Sequence, residues 1–175
     1  MADLRVLFTH EQIQRRVEEL AAEVERDFAG RKIIFIGVLK GATIFLADLA
    51  RRVRLDATFD FIGVSSYGKE KQTSGVVRLT KDVEQPLTAC NVILVEDILD
   101  TGLTMTYLRK VLLAHQPSCL KIAALLDKAC RRVLPIKADY VGFTIPDDFV
   151  VGYGMDYAER YRNLPEICVL PPEMI

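Results

Sequence analysis

Three carboxylates fall within five positions, Glu96, Asp97 and Asp100, and Thr101-Gly102-Leu103-Thr104 follows at once. Two adjacent acids at the end of an apolar run repel each other and are costly to desolvate. A divalent cation, ligand hydroxyls or a basic side chain must compensate them. Hard cations such as magnesium take carboxylates together with ligand phosphates. Thr101 to Thr104 stand where a loop turns into a helical pattern. A helix N-terminus offers free amides and a partial positive charge, which suits phosphate. Gly102 lets the backbone approach a ligand closely, and the two threonine hydroxyls can donate. Leu103 needs to supply only its amide. The bland alternatives are an N-cap at Thr101 and an exposed acidic turn. The third acid, Asp100, in the same loop favours a site. Neither a P-loop nor a G-x-G-x-x-G pattern occurs, which argues against a nucleoside triphosphate or a dinucleotide.

These residues need elements to hold them. Asn91 to Val95 is apolar and rich in β-branched residues, so it reads as a buried strand. Leu103 to His115 then has helical spacing, with Leu108, Val111 and Leu112 toward the core and Pro117 beyond its end. In an open α/β sheet that strand edge is where ligands bind. Lys32 to Val38 is a second buried strand, and the loop Leu39 to Thr43 follows it. Ile44 to Val53 is helical, with a basic end that suits a helix C-terminus. Thr58 to Val64, Val76 to Leu79, Leu120 to Leu126, Tyr140 to Phe143, Phe149 to Val151 and Ile167 to Leu170 are further strand candidates.

Near the start, Thr9 and Gln12 form a capping box. Ile13, Val17, Leu20, Val24 and Phe28 then share one helical face, and Gly30 ends the helix. Arg15, Arg16, Glu18, Glu19, Glu23 and Glu25 are assigned to solvent. Ser65 to Gly75 is polar and aperiodic, and reads as a solvated hairpin loop or, more sharply, a lid. Strands alternating with helices predict an α/β fold, a parallel sheet covered on both faces, in one domain over 1–175.

Composition narrows the function classes. The net charge of −1 argues against nucleic-acid binding and a polybasic membrane surface, and near-neutral chains associate readily. Four widely spaced cysteines without C-x-x-C read as reduced thiols, and two histidines give no zinc spacing. The sequence opens Met-Ala-Asp-Leu-Arg, so no secretory leader is expected, and no apolar run is long enough to span a bilayer. The expected compartment is the cytoplasm.

Val95-Glu96-Asp97-Ile98-Leu99-Asp100-Thr101-Gly102-Leu103-Thr104 resembles the phosphoribosyl-pyrophosphate motif of type I phosphoribosyltransferases. The aspartate at Asp100 resembles the 6-oxopurine branch, the hypoxanthine-guanine phosphoribosyltransferases. Further segments are similar in the same order. They are Leu39-Lys40-Gly41, Ser66-Tyr67, Leu126-Asp127-Lys128, Phe149 to Tyr157, and Arg162.

The resemblance implies a core of roughly 30–145 and a small hood made by the terminal segments. It implies transfer of a phosphoribosyl group from phosphoribosyl pyrophosphate to hypoxanthine or guanine, giving IMP or GMP and pyrophosphate. Xanthine is not distinguished, because all three bases carry an O6. Glu96 and Asp97 would hold the ribose hydroxyls, and Asp100 to Thr104 the 5′-phosphate. Asp100 would be the general base beside purine N7. A carboxylate is a weak base at neutral pH, so positioning must supply most of its effect. Lys40, Gly41, Ser66, Tyr67 and Arg162 would bind pyrophosphate, with a cis peptide between Leu39 and Lys40. Lys128 would donate to the purine O6, Phe149 would stack on the base, and Val150 would offer backbone groups. Magnesium would be held by Glu96, Asp97 and Asp156. A homodimer or homotetramer is implied. The main rival is a phosphoribosyl-pyrophosphate-sensing regulator on the same fold, which would need a basic nucleic-acid surface and would not require Lys128, Phe149 or Asp156.

Overall fold

Strands with apolar residues on both faces demand cover on both faces, and the chain supplies it. The structure, a computed structural model, describes residues 4–66 and 77–175. Six strands form the central sheet: β2 (Ile33–Leu39), β3 (Ala57–Ser66), β4 (Val77–Lys81), β5 (Asn91–Leu99), β6 (Cys119–Asp127) and β7 (Tyr140–Thr144). Their order is β4-β3-β2-β5-β6-β7, parallel except for the antiparallel edge strand β4. Helices α1 (His10–Asp27) and α2 (Thr43–Arg52) cover one face, and α3 (Leu103–Ala114) covers the other. Within β5, Ile93 and Val95 join the α1/α2 core while Val92 and Leu94 join the α3 core. This two-sided burial is what parallel strands require.

The chain runs outward from β2 through α2 to β3, and in the other direction from β5 through α3 to β6. Neighbouring β2 and β5 therefore flank a topological switch point, where loops at the strand C-termini diverge and leave a crevice. A second sheet of three short strands, β1 (Arg5–Phe8), β9 (Ile167–Val169) and β8 (Val150–Val151), joins the two ends of the chain. This is the expected hood. Its first strand has no signal in the sequence, because four residues show little alternation. No helix among the described residues is long and apolar enough to cross a membrane.

Most boundaries fall within a residue or two of expectation. The capping box forms: the Gln12 amide donates to Thr9 Oγ1, and the Thr9 amide donates to Gln12 Oε1 at 2.8 Å. One assignment is corrected. Arg16 does not simply face water; it donates to the carbonyls of Val141 at 2.8 Å and Gly142 at 3.0 Å, tying α1 to β7. A 3.6-residue period places a long side chain on a flank but cannot show that it reaches back over a neighbouring strand.

Asp48 is the other unforeseen tie. It is buried on α2 and accepts from Tyr153 Oη at 2.6 Å and Gln14 Nε2 at 2.9 Å, so α1, α2 and the hood meet on one carboxylate. Burial pushes this carboxyl up, but hydrogen bonds from Tyr153, Gln14 and Arg51, with the Arg52 charge, outweigh it and hold it below its ordinary value. A depressed carboxyl adds stability above the ordinary carboxylate range and loses it as pH falls through the depressed value. Asp48→Ala is expected to lower stability by about 1–3 kcal/mol at neutral pH, since the Tyr153 hydroxyl is left without its buried acceptor. Urea melts of both proteins check this, and the gap should narrow in acid.

Candidate active site

Three loops converge over the C-terminal ends of β2 and β5. The first follows β2 and contains a cis peptide between Leu39 and Lys40, as the resemblance implied. Gly41 in this loop lies so close to the end of β5 that a Cβ there would stand 1.7 Å from Asp97 Oδ2. The second loop carries Asp100 to Gly102 into α3. Gly102 caps α3 in the left-handed region, at φ 86°, a conformation that glycine adopts at little cost. Thr101 Oγ1 accepts from the Leu103 amide at 3.4 Å. The third loop comes from the hood. A Cβ on Gly154 would meet the Gly41 carbonyl at 2.1 Å, so the hood backbone lies directly against the first loop.

Between them lies a cavity of about 360 Å³ lined by Lys40, Gly41, Asp97, Thr101, Asp156 and Arg162, among others. Glu96, Asp100, Gly102 and Thr104 also line it, so of the expected ribose, phosphate and pyrophosphate residues whose side chains are described it gathers all but Leu103. Residues from positions 40 to 162 thus meet in one place. Ser66 ends β3, but its side chain, Tyr67 and the rest of the expected lid to Gly75 lie outside the described residues.

Glu96 and Asp97 separate in character. Glu96 is buried, 8% exposed, while Asp97 is half-buried and its Oδ1 accepts from the Ile98 amide at 2.8 Å. Burial first, and then the Asp97 charge, push the Glu96 carboxyl well above its ordinary value, so this position favours the neutral acid. The expected metal set of Glu96, Asp97 and Asp156 thus combines one deeply buried acid with two half-buried ones. Among the described residues no three such groups could by themselves hold a metal ion. Two adjacent carboxylates at a buried strand end resist ionising together.

A second, adjoining cavity of about 220 Å³ is lined by Asp97, Asp100, Lys128, Phe149, Val150 and Asp156, together with Arg131. Lys128 is no surface lysine. It is 5% exposed, and its Nζ donates to the Asp148 carbonyl at 2.7 Å and lies 3.6 Å from Asp147 Oδ1. Phe149 is exposed at the rim and packs edge-on to Tyr157, with ring centroids 5.7 Å apart. Val150 is buried. Asp100 Oδ1 is buried and has no hydrogen-bond partner. The nearest cation, Arg131 Nε, is 3.5 Å away, an ion pair too long and misaligned to be a hydrogen bond. Asp100 does not cap α3, which Gly102 does without any side-chain bond.

Opposite, Arg162 donates to the Gly154 carbonyl at 2.8 Å and pairs with Asp156 at 2.6 Å. Its Nε is buried without a partner. Arg131, Asp147 and Glu159 were not foreseen, and Tyr157 was expected only as the end of the Phe149 segment, without its contact to the Phe149 ring. Arg131 and Asp147 are charged loop residues whose pairing depends on how two turns stack, and sequence spacing carries no signal for that.

Residues 5–158 match the family described as the phosphoribosyl transferase domain. The chain is 46% identical over 168 residues to the hypoxanthine-guanine phosphoribosyltransferase of Bacillus subtilis, covering 96% of this chain and 93% of that protein. It is 44% identical over 170 residues to the bifunctional protein TilS/HprT of Listeria monocytogenes. That match covers 97% of this chain but 26% of the longer protein, so the chain spans about a quarter of that relative. The crystal structure of a hypoxanthine-guanine phosphoribosyltransferase from Bacillus anthracis aligns with a TM-score of 0.91 at 51% identity, covering 95% of this chain and 98% of the other. That of a hypoxanthine phosphoribosyltransferase from Staphylococcus aureus aligns at 0.94 and 43% identity, covering 98% and 94%.

Proposed function

The chain belongs to the phosphoribosyl transferase domain family, and from that premise we propose that it is a hypoxanthine-guanine phosphoribosyltransferase of purine salvage. It moves the 5-phosphoribosyl group from phosphoribosyl pyrophosphate to N9 of hypoxanthine or guanine, releasing pyrophosphate. The relatives from Bacillus carry that activity in their names. The observation that carries the reading is the pairing in one cavity of an unpartnered buried carboxylate oxygen on Asp100 with the buried ammonium of Lys128.

The residues divide the work. Lys128 has three N–H donors and spends one on Asp148, so others remain for a purine O6. Adenine presents an amino group there and offers no acceptor. Asp100 Oδ1 accepts the proton that leaves N7 as the base becomes more acidic. Phe149 stacks on the base, worth roughly 1–3 kcal/mol by analogy with nucleic-acid stacking, and the Val150 backbone borders it. The free amides at the start of α3, with Thr101 and Thr104, cradle the 5′-phosphate. The Asp97 carboxylate, with Glu96 beneath it, faces the ribose and favours its developing positive charge. Lys40, the Gly41 backbone and Arg162 receive pyrophosphate, with Ser66 and Tyr67 assigned there by resemblance.

The acids of the cavity, Glu96, Asp97, Asp100 and Asp156, are hard oxygen donors, which fits magnesium, an ion that keeps few protein ligands and completes its shell with phosphate and water. Asp97 and Asp156, with Glu96 behind Asp97, would hold it, and when bound it would supply neutralisation of the pyrophosphate charge. We also propose a homo-oligomer. Phe59 is 61% exposed beside Phe61 and a largely apolar cavity of about 280 Å³, a face that a second copy would cover. The four free cysteines agree with the cytoplasm.

Steady-state kinetics on the purified protein test the central reading. Pyrophosphate release is expected with hypoxanthine or guanine and phosphoribosyl pyrophosphate, with adenine as the inactive control and xanthine as the open comparison. Release independent of a 6-oxopurine would sink it.

A further inference from the structure

Glu159 is an acid beside the larger cavity that neither the motifs nor the lining accounts for. Its Oε2 lies 3.0 Å from Lys40 Nζ and 3.5 Å from Arg162 Nη2. One oxygen therefore bridges two cations that stand 122 positions apart in sequence and line the same cavity. These are the cations assigned above to pyrophosphate. We propose that Glu159 is a resident anion that occupies Lys40 and Arg162 and competes with pyrophosphate for them. The inference rests on the proposed function, because it takes the Lys40–Arg162 end of the cavity as the pyrophosphate site.

The backbone presents Glu159 in a defined place. Ala158, Glu159 and Tyr161 all have left-handed φ, of 49°, 63° and 76°. The Glu159 amide donates to Asp156 Oδ2 at 2.8 Å, so the loop is fixed from the acid that also pairs with Arg162. An exposed carboxylate facing two cations is an anion at neutral pH. The side chain is 66% exposed. An exposed single-oxygen contact of this kind adds little to stability. It can rotate into water when a more highly charged, multidentate anion arrives. The loops themselves are joined by the Gly154–Gly41 backbone contact and not by this ion pair.

Glu159→Gln removes the competing charge and keeps the shape. Magnesium pyrophosphate, titrated calorimetrically and as a product inhibitor, should bind about two- to fivefold more tightly to this variant, in line with the modest strength of exposed pairs. KM for phosphoribosyl pyrophosphate should fall in parallel. KM for the purine and the melting temperature should stay as in the wild type, and the difference should shrink at high salt. Glu159→Asp, which keeps the charge, should lie between the two proteins. A purely structural role would move the melting temperature and leave the split between the two KM values absent. Unchanged or weaker pyrophosphate binding by Glu159→Gln, with an active wild type, overturns the role of Glu159 alone. A wild type that neither binds nor releases pyrophosphate overturns the site assignment and this inference with it.

Discussion

Asp100→Asn is expected to lower kcat by about a hundredfold or more, the usual reach of a positioned general base, while the affinity for phosphoribosyl pyrophosphate changes only a few fold. The two effects separate because Asp100 borders both cavities but the phosphate cradle is built from other groups. That cradle is the α3 amides behind the left-handed Gly102, with Thr101 and Thr104. Asparagine keeps the size and an acceptor oxygen, so packing survives, but an amide does not take a proton at neutral pH. The neighbouring Arg131, 3.5 Å from Oδ1, would lose its ionic partner and retain Asp147 at 3.6 Å. Turnover measured beside a binding titration of the donor decides it. Near-wild-type turnover would remove Asp100 as the base and leave it as a spacer between phosphate and purine.

The second large effect is expected at Lys128. Lys128→Met keeps an aliphatic stem in a buried position but removes the ammonium that would meet O6. A charge-assisted hydrogen bond of this kind is worth about 1.5–3 kcal/mol, so purine KM should rise about ten- to a hundredfold. KM for the phosphoribosyl donor should stay close to wild type, since Lys128 lines the smaller cavity and not the larger. The variant also frees the Asp148 carbonyl and leaves Asp147 with Arg131 alone. A melting curve therefore accompanies the kinetics. If purine affinity is unchanged in a folded variant, base recognition lies elsewhere in the Phe149–Asp156 segment.

Much of the site was legible in the sequence because local rules govern it. An apolar run ending in Glu96-Asp97 and a Thr-Gly step into helical spacing announce a strand, a loop and a helix N-terminus. These are decided by neighbours in the chain, and β5 and α3 appear where that pattern puts them. The alternation of strands and helices likewise determined a parallel sheet and hence a ligand edge. The resemblance then selected the chemistry at Asp100 and Lys128, where residue type alone left an ordinary surface lysine as the better guess.

What only the tertiary structure decided is the ionisation and pairing of those groups. Glu96 and Asp97 look equivalent as a dipeptide. Burial pushes the Glu96 carboxyl well above its ordinary value and leaves Asp97 half-exposed beside Gly41, so two neighbours in sequence stand in different surroundings. Lys128 became a buried donor only because the 147–149 turn closes over it. Glu159 became the bridge between Lys40 and Arg162 only because the hood brings the chain's far end onto the β2 loop. Desolvation and charge pairing depend on every group within a few ångströms, whatever its distance along the chain. Sequence spacing reports which residues share an element, and the packing of elements sets which charges must live together.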